Sequence, residues 1–100
     1  MTIEKNKENE LLTVSVIGRL DTNTAPQLEE SLNNDLNGIK ILNLDFKALD
    51  YISSAGLRVV LILHKHMASV GGKLNILSPK DEVLEVFDMT GFSTFLSIKE

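Results

Sequence analysis

The stretch Leu49–Val60, LDYISSAGLRVV, decides how the rest of the chain can be arranged. Polar residues precede it and an apolar pattern with helical spacing follows it, which predicts a loop that turns into a buried helix. Ser53 is the expected N-cap, because a serine hydroxyl can accept a hydrogen bond from a free backbone N–H group of the first turn. Ser54 then occupies about the first helical position, near the positive end of the helix dipole.

Two interpretations of Ser54 follow from this position. The more frequent use of serine at the start of a helix is simply to cap it. Alternatively, a hydroxyl beside free N–H groups lies where a helix favours an anion. A phosphate on Ser54 would carry a charge of about −1.5 to −2 and would be favoured by its own helix. Phosphorylation would therefore change the surface of the protein and leave the fold intact.

Three segments resemble motifs of one known family. Asp50–Leu57 resembles the signature of the STAS domain as found in bacterial anti-sigma-factor antagonists, a polar-Ser-small-Gly-Leu run that opens a helix. Upstream, Gly18–Ala25 is similar to the family's Gly-x-Leu-Asp turn before its first helix. Downstream, Phe87–Phe92 is similar to its recurring Phe-Asp-x-x-Gly ending. The three motifs occur in the family's order and cover most of the 100 residues.

The resemblance implies a small switch protein that binds an anti-sigma factor and thereby frees a sigma factor. It implies that this partner is also a serine kinase with a histidine-kinase-like ATPase fold, which phosphorylates Ser54 with ATP, and that a serine phosphatase reverses the reaction. Many phosphorylated members have Asp where this chain has Ser53, so Ser53 is the second choice of acceptor. The expected partner-binding residues are Asp21, Thr22, Asn23, Ser53, Ser54, Ala55, Gly56, Leu57 and Arg58.

In this interpretation the small residues Ala55 and Gly56 allow a partner to approach the backbone closely. A phosphate would place a strongly hydrated charge in the contact, and burying that charge unpaired is costly. Asp21 is either a turn or cap residue, a common use of aspartate, or a surface acid near Ser54 on the partner-binding face.

Two other functions are compatible with the sequence. Some transporter-associated members of the family dock on the ATPase of a lipid-transport system and are never phosphorylated. This role is compatible with Ser53, because many phosphorylated members have Asp at that position. An enzyme that handles serine esters or phosphates is the third class. Turnover of an activated ester or phosphate, lost in Ser54→Ala, would identify it.

Several patterns argue against catalysis. Gly-x-Ser-x-Gly is absent around Ser54, and His64 lies ten residues along the same predicted helix, roughly 15 Å away at 1.5 Å per residue. A nucleophilic serine needs a base within hydrogen-bond reach. No Gly-x-x-x-x-Gly-Lys-[Ser/Thr] phosphate loop occurs. Asp45 could be a phospho-acceptor at a strand end, but the acidic pair that would hold a metal after the first strand is missing. We expect no enzymatic activity.

Composition limits the remaining possibilities. Hydrophobic residues make up 43% of the chain and charged residues 24%, as in a globular protein, and 100 residues suffice for one domain over residues 1–100. A net charge of −4 argues against a nucleic-acid surface. The absence of cysteine and the presence of only two histidines argue against a structural zinc site, and we expect no cofactor. The N-terminus has no apolar signal core and no stretch is long enough to span a membrane, so a cytoplasmic protein is expected.

Apolar periodicity predicts the order strand, strand, helix, strand, helix, strand, helix, strand. This alternation indicates a single α/β domain with a mixed, mostly parallel β-sheet of about four to five strands, packed by about three to four helices. The expected strands lie at Thr2–Glu4, Leu12–Val16, Ile39–Leu44, Leu74–Leu77 and Phe95–Ile98, and the expected helices at Thr24–Leu36, Ser54–Val70 and Pro79–Thr90.

Details of these elements are also predicted. Thr24 and Ser78 are expected to cap the first and third helices, and Gly91 to end the third. Loops are expected at Lys5–Glu10, Arg19–Asn23 and Asp45–Asp50. Met67 and Met89 are assigned to the core, whereas His64 and His66, two residues apart and not facing each other, are assigned to the solvent side.

Overall fold

The computed structural model describes residues 1–100, which form six β-strands, three α-helices and one 3₁₀ turn. The strands are β1 (Thr2–Glu8), β2 (Leu11–Leu20), β3 (Ile41–Asp45), β4 (Leu49–Ile52), β5 (Lys73–Leu77) and β6 (Ser97–Lys99). The helices are α1 (Ala25–Leu32), α2 (Ser54–Ser69) and α3 (Asp81–Thr90), and the 3₁₀ turn is Phe92–Thr94. The predicted α/β class with a mixed, mostly parallel sheet is confirmed.

The sheet has the strand order β1-β2-β3-β5-β6, and β4 pairs with the end of β2 beyond its contact with β3. Only β1 and β2 are antiparallel. Each parallel crossover moves in the same direction across the sheet, and right-handed crossovers of this kind place all their helices on one face. The helices α1, α2 and α3 therefore cover the same face of the sheet.

The core lies between that face and the helices. Alternate residues of β2, namely Leu12, Val14 and Val16, are fully buried, as the period of two predicts. They belong to one cluster of 23 buried hydrophobic residues that includes Val60, Leu63 and Met67 of α2 and Val83 and Phe87 of α3. No helix is long and apolar enough to cross a membrane.

The region from Gly18 to Ile52 differs most from the expectation. The strand β2 does not stop at Gly18 but continues to Leu20, pairing with β4 from Gly18 onward, and the register of this pairing shifts between Gly18 and Arg19. Gly18 has φ +106°, a conformation that glycine adopts without strain. The predicted loops Arg19–Asn23 and Asp45–Asp50 are therefore wrong in part, because the first begins with the end of β2 and the second ends with the start of β4.

Four helix boundaries or caps also need correction. α1 ends at Leu32 and not near Leu36, since Asn33 and Asn34 are poor helix formers. The Thr24 side chain does not cap it. α3 begins at Asp81, and Ser78, with φ +51°, lies outside the helix. The N-cap position is held instead by Lys80, in extended geometry and without a side-chain hydrogen bond to the helix. Gly91 ends α3 as predicted.

The strands at the two ends of the chain are shifted. β1 runs from Thr2 to Glu8, so the predicted turn at Lys5–Glu10 shrinks to Asn9 and Glu10. β6 begins only at Ser97.

Burial corrects one core assignment. Met67 is fully buried as predicted, but the side chain of Met89 is 78% exposed, so its assignment to the core is wrong. His66 is exposed and His64 is half-buried with its ring centroid 5.0 Å from that of Phe95.

Candidate functional site

Parallel pairing of β2 with β4 brings two of the three motifs together. Leu20 of β2 and Ile52 of β4 are register partners at the carboxyl ends of their strands. The next residues, Asp21 and Ser53, therefore leave the sheet at the same edge. The backbone N–H of Ser53 donates to the carbonyl oxygen of Leu20 at 2.9 Å and fixes this junction.

Ser53 caps α2 as its sequence predicted. Its hydroxyl oxygen accepts a hydrogen bond from the backbone N–H of Gly56, with 3.4 Å between the two atoms, and its carbonyl oxygen accepts from the N–H of Leu57 at 2.9 Å. Ser53 is half-buried, whereas Ser54, the first residue of α2, is exposed. The first turn of α2 contains no acidic residue, so no carboxylate occupies the positive end of the helix dipole. Of the two serines, Ser54 is the accessible one.

Gly56 allows α2 to press against the ends of β2 and β4. A Cβ atom at this position would lie 2.9 Å from both the carbonyl oxygen and Cγ of Leu20, and 2.8 Å from Cγ1 of Ile52. Gly56 and Leu57 are both buried. In the free chain both therefore lie beneath the surface that Ser54 and Arg58 present, and their contact with a partner stays a prediction.

The carboxylate of Asp21 organises the turn between β2 and α1. Its Oδ1 accepts hydrogen bonds from the backbone N–H groups of Asn23 at 3.0 Å and Thr24 at 3.1 Å. The Thr24 hydroxyl accepts from the N–H of Asp21 and donates to the carbonyl oxygen of Arg19, both at 2.8 Å. The geometry thus confirms Asp21 as a turn residue, and its contact with a partner stays a prediction.

These hydrogen bonds also set the protonation of Asp21. The pKa of its carboxyl is lowered, first of all because the backbone N–H of Thr24 donates to it. Partial burial opposes this effect, while the Thr24 hydroxyl, the N–H of Asn23 and the positive charge of Arg19 reinforce it. Hydrogen bonds to the charged form lower a carboxyl pKa. The lowered pKa keeps Asp21 negatively charged, and its Oδ1 already accepts hydrogen bonds from N–H groups of its own turn.

A shallow groove between α1 and α2 adjoins Ser54. One wall comes from the Asp21 turn and α1, and the other from α2; the lining residues are Thr22, Ala25, Pro26, Glu29, Ala55, Arg58 and Val59. Among the expected partner-binding residues, Thr22, Ala55 and Arg58 are therefore neighbours. Asn23 lies beside them in the same turn and is exposed.

Two further interactions, which the sequence did not predict, flank the site. The guanidinium carbon of Arg19 lies 4.1 Å from the centroid of the Tyr51 ring, and these residues are register partners on β2 and β4. Lys80 forms an ion pair with Asp50. The Arg19–Tyr51 contact could be predicted from the sequence only if β4 were first recognised as a strand paired with β2. No group of three or more His, Cys, Asp or Glu side chains is placed to hold a metal ion.

The family model of the STAS domain matches residues 2–100. The chain belongs to the STAS domain family. BtrV of Bordetella bronchiseptica, provisionally named an anti-sigma factor antagonist, is 36% identical over 99 residues, which cover 98% of this STAS domain and 85% of BtrV. The anti-sigma-B factor antagonist of Listeria monocytogenes is 28% identical over 97 residues, covering 95% of this chain and 84% of the relative.

Solved structures have the same fold. A Thermotoga maritima protein described as an anti-sigma factor antagonist superposes with a TM-score of 0.90 at 19% identity, over 98% of this chain and 86% of the other. SpoIIAA of Bacillus in its phosphorylated form superposes with a TM-score of 0.76 at 18% identity, over 97% and 90% of the two chains. The STAS resemblance drawn from the three motifs is thereby confirmed.

Proposed function

We propose that this STAS domain is an anti-sigma-factor antagonist that binds its anti-sigma factor while Ser54 is unphosphorylated. The observation that carries the proposal is the junction between β2 and β4, because it sets the Asp21 turn beside the exposed start of α2. The names of BtrV and of the Listeria relative, both aligned over nearly the whole chain, support the same function.

The docking surface in this proposal consists of Thr22 and Asn23 in the turn and Ser54, Ala55 and Arg58 on α2. Ser53 and Asp21 hold these residues in place through the cap and the turn, while Gly56 and Leu57 pack beneath them. Ala55 is small and half-buried, so a partner side chain can settle against the helix there. The surface is thus pre-formed by backbone hydrogen bonds and needs little ordering when it binds.

Phosphorylation of Ser54 is the proposed off-switch. The γ-phosphoryl group of ATP is transferred to Oγ of Ser54, ADP leaves, and the hydroxyl proton passes to a base of the kinase. Ser54 is favoured over Ser53 because Ser54 is exposed, whereas Ser53 is half-buried and its hydroxyl caps the helix. The added charge of about −1.5 to −2 suits a helix N-terminus but opposes burial in an interface. SpoIIAA in its phosphorylated form indicates that this fold can carry a phosphate.

The proposal includes three properties of the system. The anti-sigma factor is itself the serine kinase, with a histidine-kinase-like ATPase fold, and a separate serine phosphatase restores the active form. The STAS domain is a binding protein without a cofactor or catalytic residue of its own. It acts in the cytoplasm, where sigma factors bind RNA polymerase.

The first experiment is a pull-down from lysate of the native host, with captured proteins identified by mass spectrometry and then titrated by calorimetry. Wild type, Ser54→Ala and Ser54→Asp are compared with Ser69→Asp, which adds the same charge at an exposed position at the other end of α2. Capture of a histidine-kinase-like ATPase by all variants except Ser54→Asp is the expected result, with at least a tenfold loss of affinity for Ser54→Asp.

Two outcomes would contradict the proposal. Unchanged affinity of Ser54→Asp for the captured kinase would remove the switch. Capture of a transporter ATPase by all four variants would identify an accessory subunit of a lipid-transport system, the second function that the sequence allows.

A further inference from the structure

Resting on the proposed function, we propose that Arg58 is the intramolecular partner of a phosphate on Ser54. In the unphosphorylated chain the Arg58 guanidinium is free for an acidic group of the anti-sigma factor. Once Ser54 is phosphorylated, the same guanidinium turns to the phosphate. The modification then acts twice, since it adds a negative charge to the docking surface and withdraws its positive charge.

The positions of the two residues on α2 carry the first step. Ser54 and Arg58 are four residues apart, so their side chains are neighbours on one face of the helix. Helical side chains lean toward the N-terminus, which directs Arg58 toward the turn that begins with Ser54. Both residues are exposed, so neither has to break a buried contact to meet the other.

The other cationic side chains near Ser54 already have partners, which is the second step of the argument. Arg58 lies on α2, and two other positively charged side chains, Arg19 and Lys80, contact β4, the strand that leads into it. Arg19 lies over the Tyr51 ring and has its Nε 3.7 Å from Oδ2 of Asp21. Lys80 is paired with Asp50. Arg58 takes part in none of the four ion pairs of the chain, so it is the cation left free for a phosphate.

The nearby carboxylates do not remove Arg58 from this role. Glu29 lines the same groove from α1 but forms no ion pair with Arg58. Asp21 is occupied by the N–H groups of its own turn. A phosphate carries more charge than a carboxylate and offers three acceptor oxygens to the fork of the guanidinium, so it competes well with Glu29.

The test places phosphoserine at position 54 by genetic encoding, which needs neither kinase nor partner. The second pKa of the phosphate is then followed by ³¹P NMR as a function of pH. A nearby cation favours the dianion, so Arg58→Gln should raise this pKa by a few tenths of a unit, as expected for an exposed pair. Lys65→Gln is the matched control, since it removes one charge about 10 Å further along the same helix.

The outcomes separate this inference from the proposed function. A phosphate pKa that rises in Arg58→Gln and stays unchanged in Lys65→Gln supports the pairing. Equal values in wild type and Arg58→Gln, or a rise in Arg19→Gln instead, would overturn it. Because the titration involves no partner, unchanged capture of the kinase by Ser54→Asp would refute the switch without affecting this result, and an unchanged phosphate pKa in Arg58→Gln would overturn the pairing without affecting the switch.

Discussion

The backbone N–H of Ser53 donates a hydrogen bond to the carbonyl oxygen of Leu20, with 2.9 Å between nitrogen and oxygen. This bond ties the residue that caps α2 to the last residue of β2. The Asp21 turn, which follows Leu20, and the first turn of α2, which follows Ser53, are therefore held against each other. Substitutions at this junction should affect both the stability of the fold and the shape of the docking surface.

Gly56→Ala should destabilise the protein. Alanine is better than glycine inside a helix by about 1 kcal/mol. Here, however, the new Cβ would lie 2.9 Å from the carbonyl oxygen of Leu20, and backbone cannot rotate away as a side chain can. Overpacking of this kind costs about 1–3 kcal/mol, so after subtraction of the helix gain a net loss of up to about 2 kcal/mol is expected in urea denaturation. Ser69→Ala, exposed on the same helix, should change stability by less than about 0.5 kcal/mol. A Gly56→Ala variant more stable than wild type would show that α2 can shift away from Leu20 at little cost in free energy.

The Ser53 cap can be tested with a pair of variants. Ser53→Ala removes the hydroxyl that accepts from the N–H of Gly56 and should cost about 0.5–1 kcal/mol, near the low end for caps because the contact is 3.4 Å long. Ser53→Asp supplies another good cap and a charge that suits the helix dipole, so its stability should equal or exceed that of wild type. Thermal unfolding at pH 7 measures both, and equal melting temperatures for Ser53→Ala and wild type would argue that the cap contributes nothing.

Asp21 should make stability depend on acid pH. Its pKa is lower in the folded state than in the unfolded chain, so its contribution is present above the unfolded pKa of about 3.9 and is lost as pH falls through the folded pKa. Wild type should therefore exceed Asp21→Asn in stability at pH 6, and the difference should shrink toward pH 3. Asn is a suitable replacement because it can still accept from the N–H groups of Asn23 and Thr24. A difference that does not change with pH would show that the carboxylate charge is irrelevant.

The sequence predicted α2 well because its signals are local. Ser53 caps it, apolar residues recur at helical spacing, and Gly71 and Gly72 follow its last turn. The same holds for the alternating part of β2. These elements carry their own pattern within a few residues, and tertiary contacts reinforce that pattern.

The strand β4 was missed because its pattern is not local. Its four residues are buried, exposed, exposed and buried, so they lack the alternation by which a strand is recognised. It becomes a strand by pairing with the end of β2, from Gly18 to Leu20, which is distant in the sequence. The resemblance to the STAS family suggests that the Asp21 turn and Ser54 are close. The pairing of β4 with β2 gives the physical reason for that closeness. The misplaced Thr24 cap has a similar origin, since Thr24 is drawn into the hydrogen bonds of Asp21.

The two methionines test the corrected core. Met67 is fully buried, and Met67→Ala should cost about 2–5 kcal/mol through lost contacts and the cavity left behind. Met89 is 78% exposed, and Met89→Ala should change stability by less than about 0.5 kcal/mol. Guanidinium denaturation of the two variants under one set of conditions gives the comparison. Similar losses in both would restore Met89 to the core, as its sequence pattern first indicated.

Thr22 provides a test of the docking surface that does not involve the phosphorylation site. It lines the groove with Ala55 and Arg58, so Thr22→Arg places bulk and a second positive charge where the anti-sigma factor is proposed to sit. We expect at least a tenfold loss of affinity in calorimetric titration, about 1.4 kcal/mol, with unchanged thermal stability because Thr22 is exposed. Ser69→Arg, at the far end of α2, should bind like wild type. If Thr22→Arg also binds like wild type while Ser54→Asp does not, the docking surface is confined to α2 and the Asp21 turn only supports it.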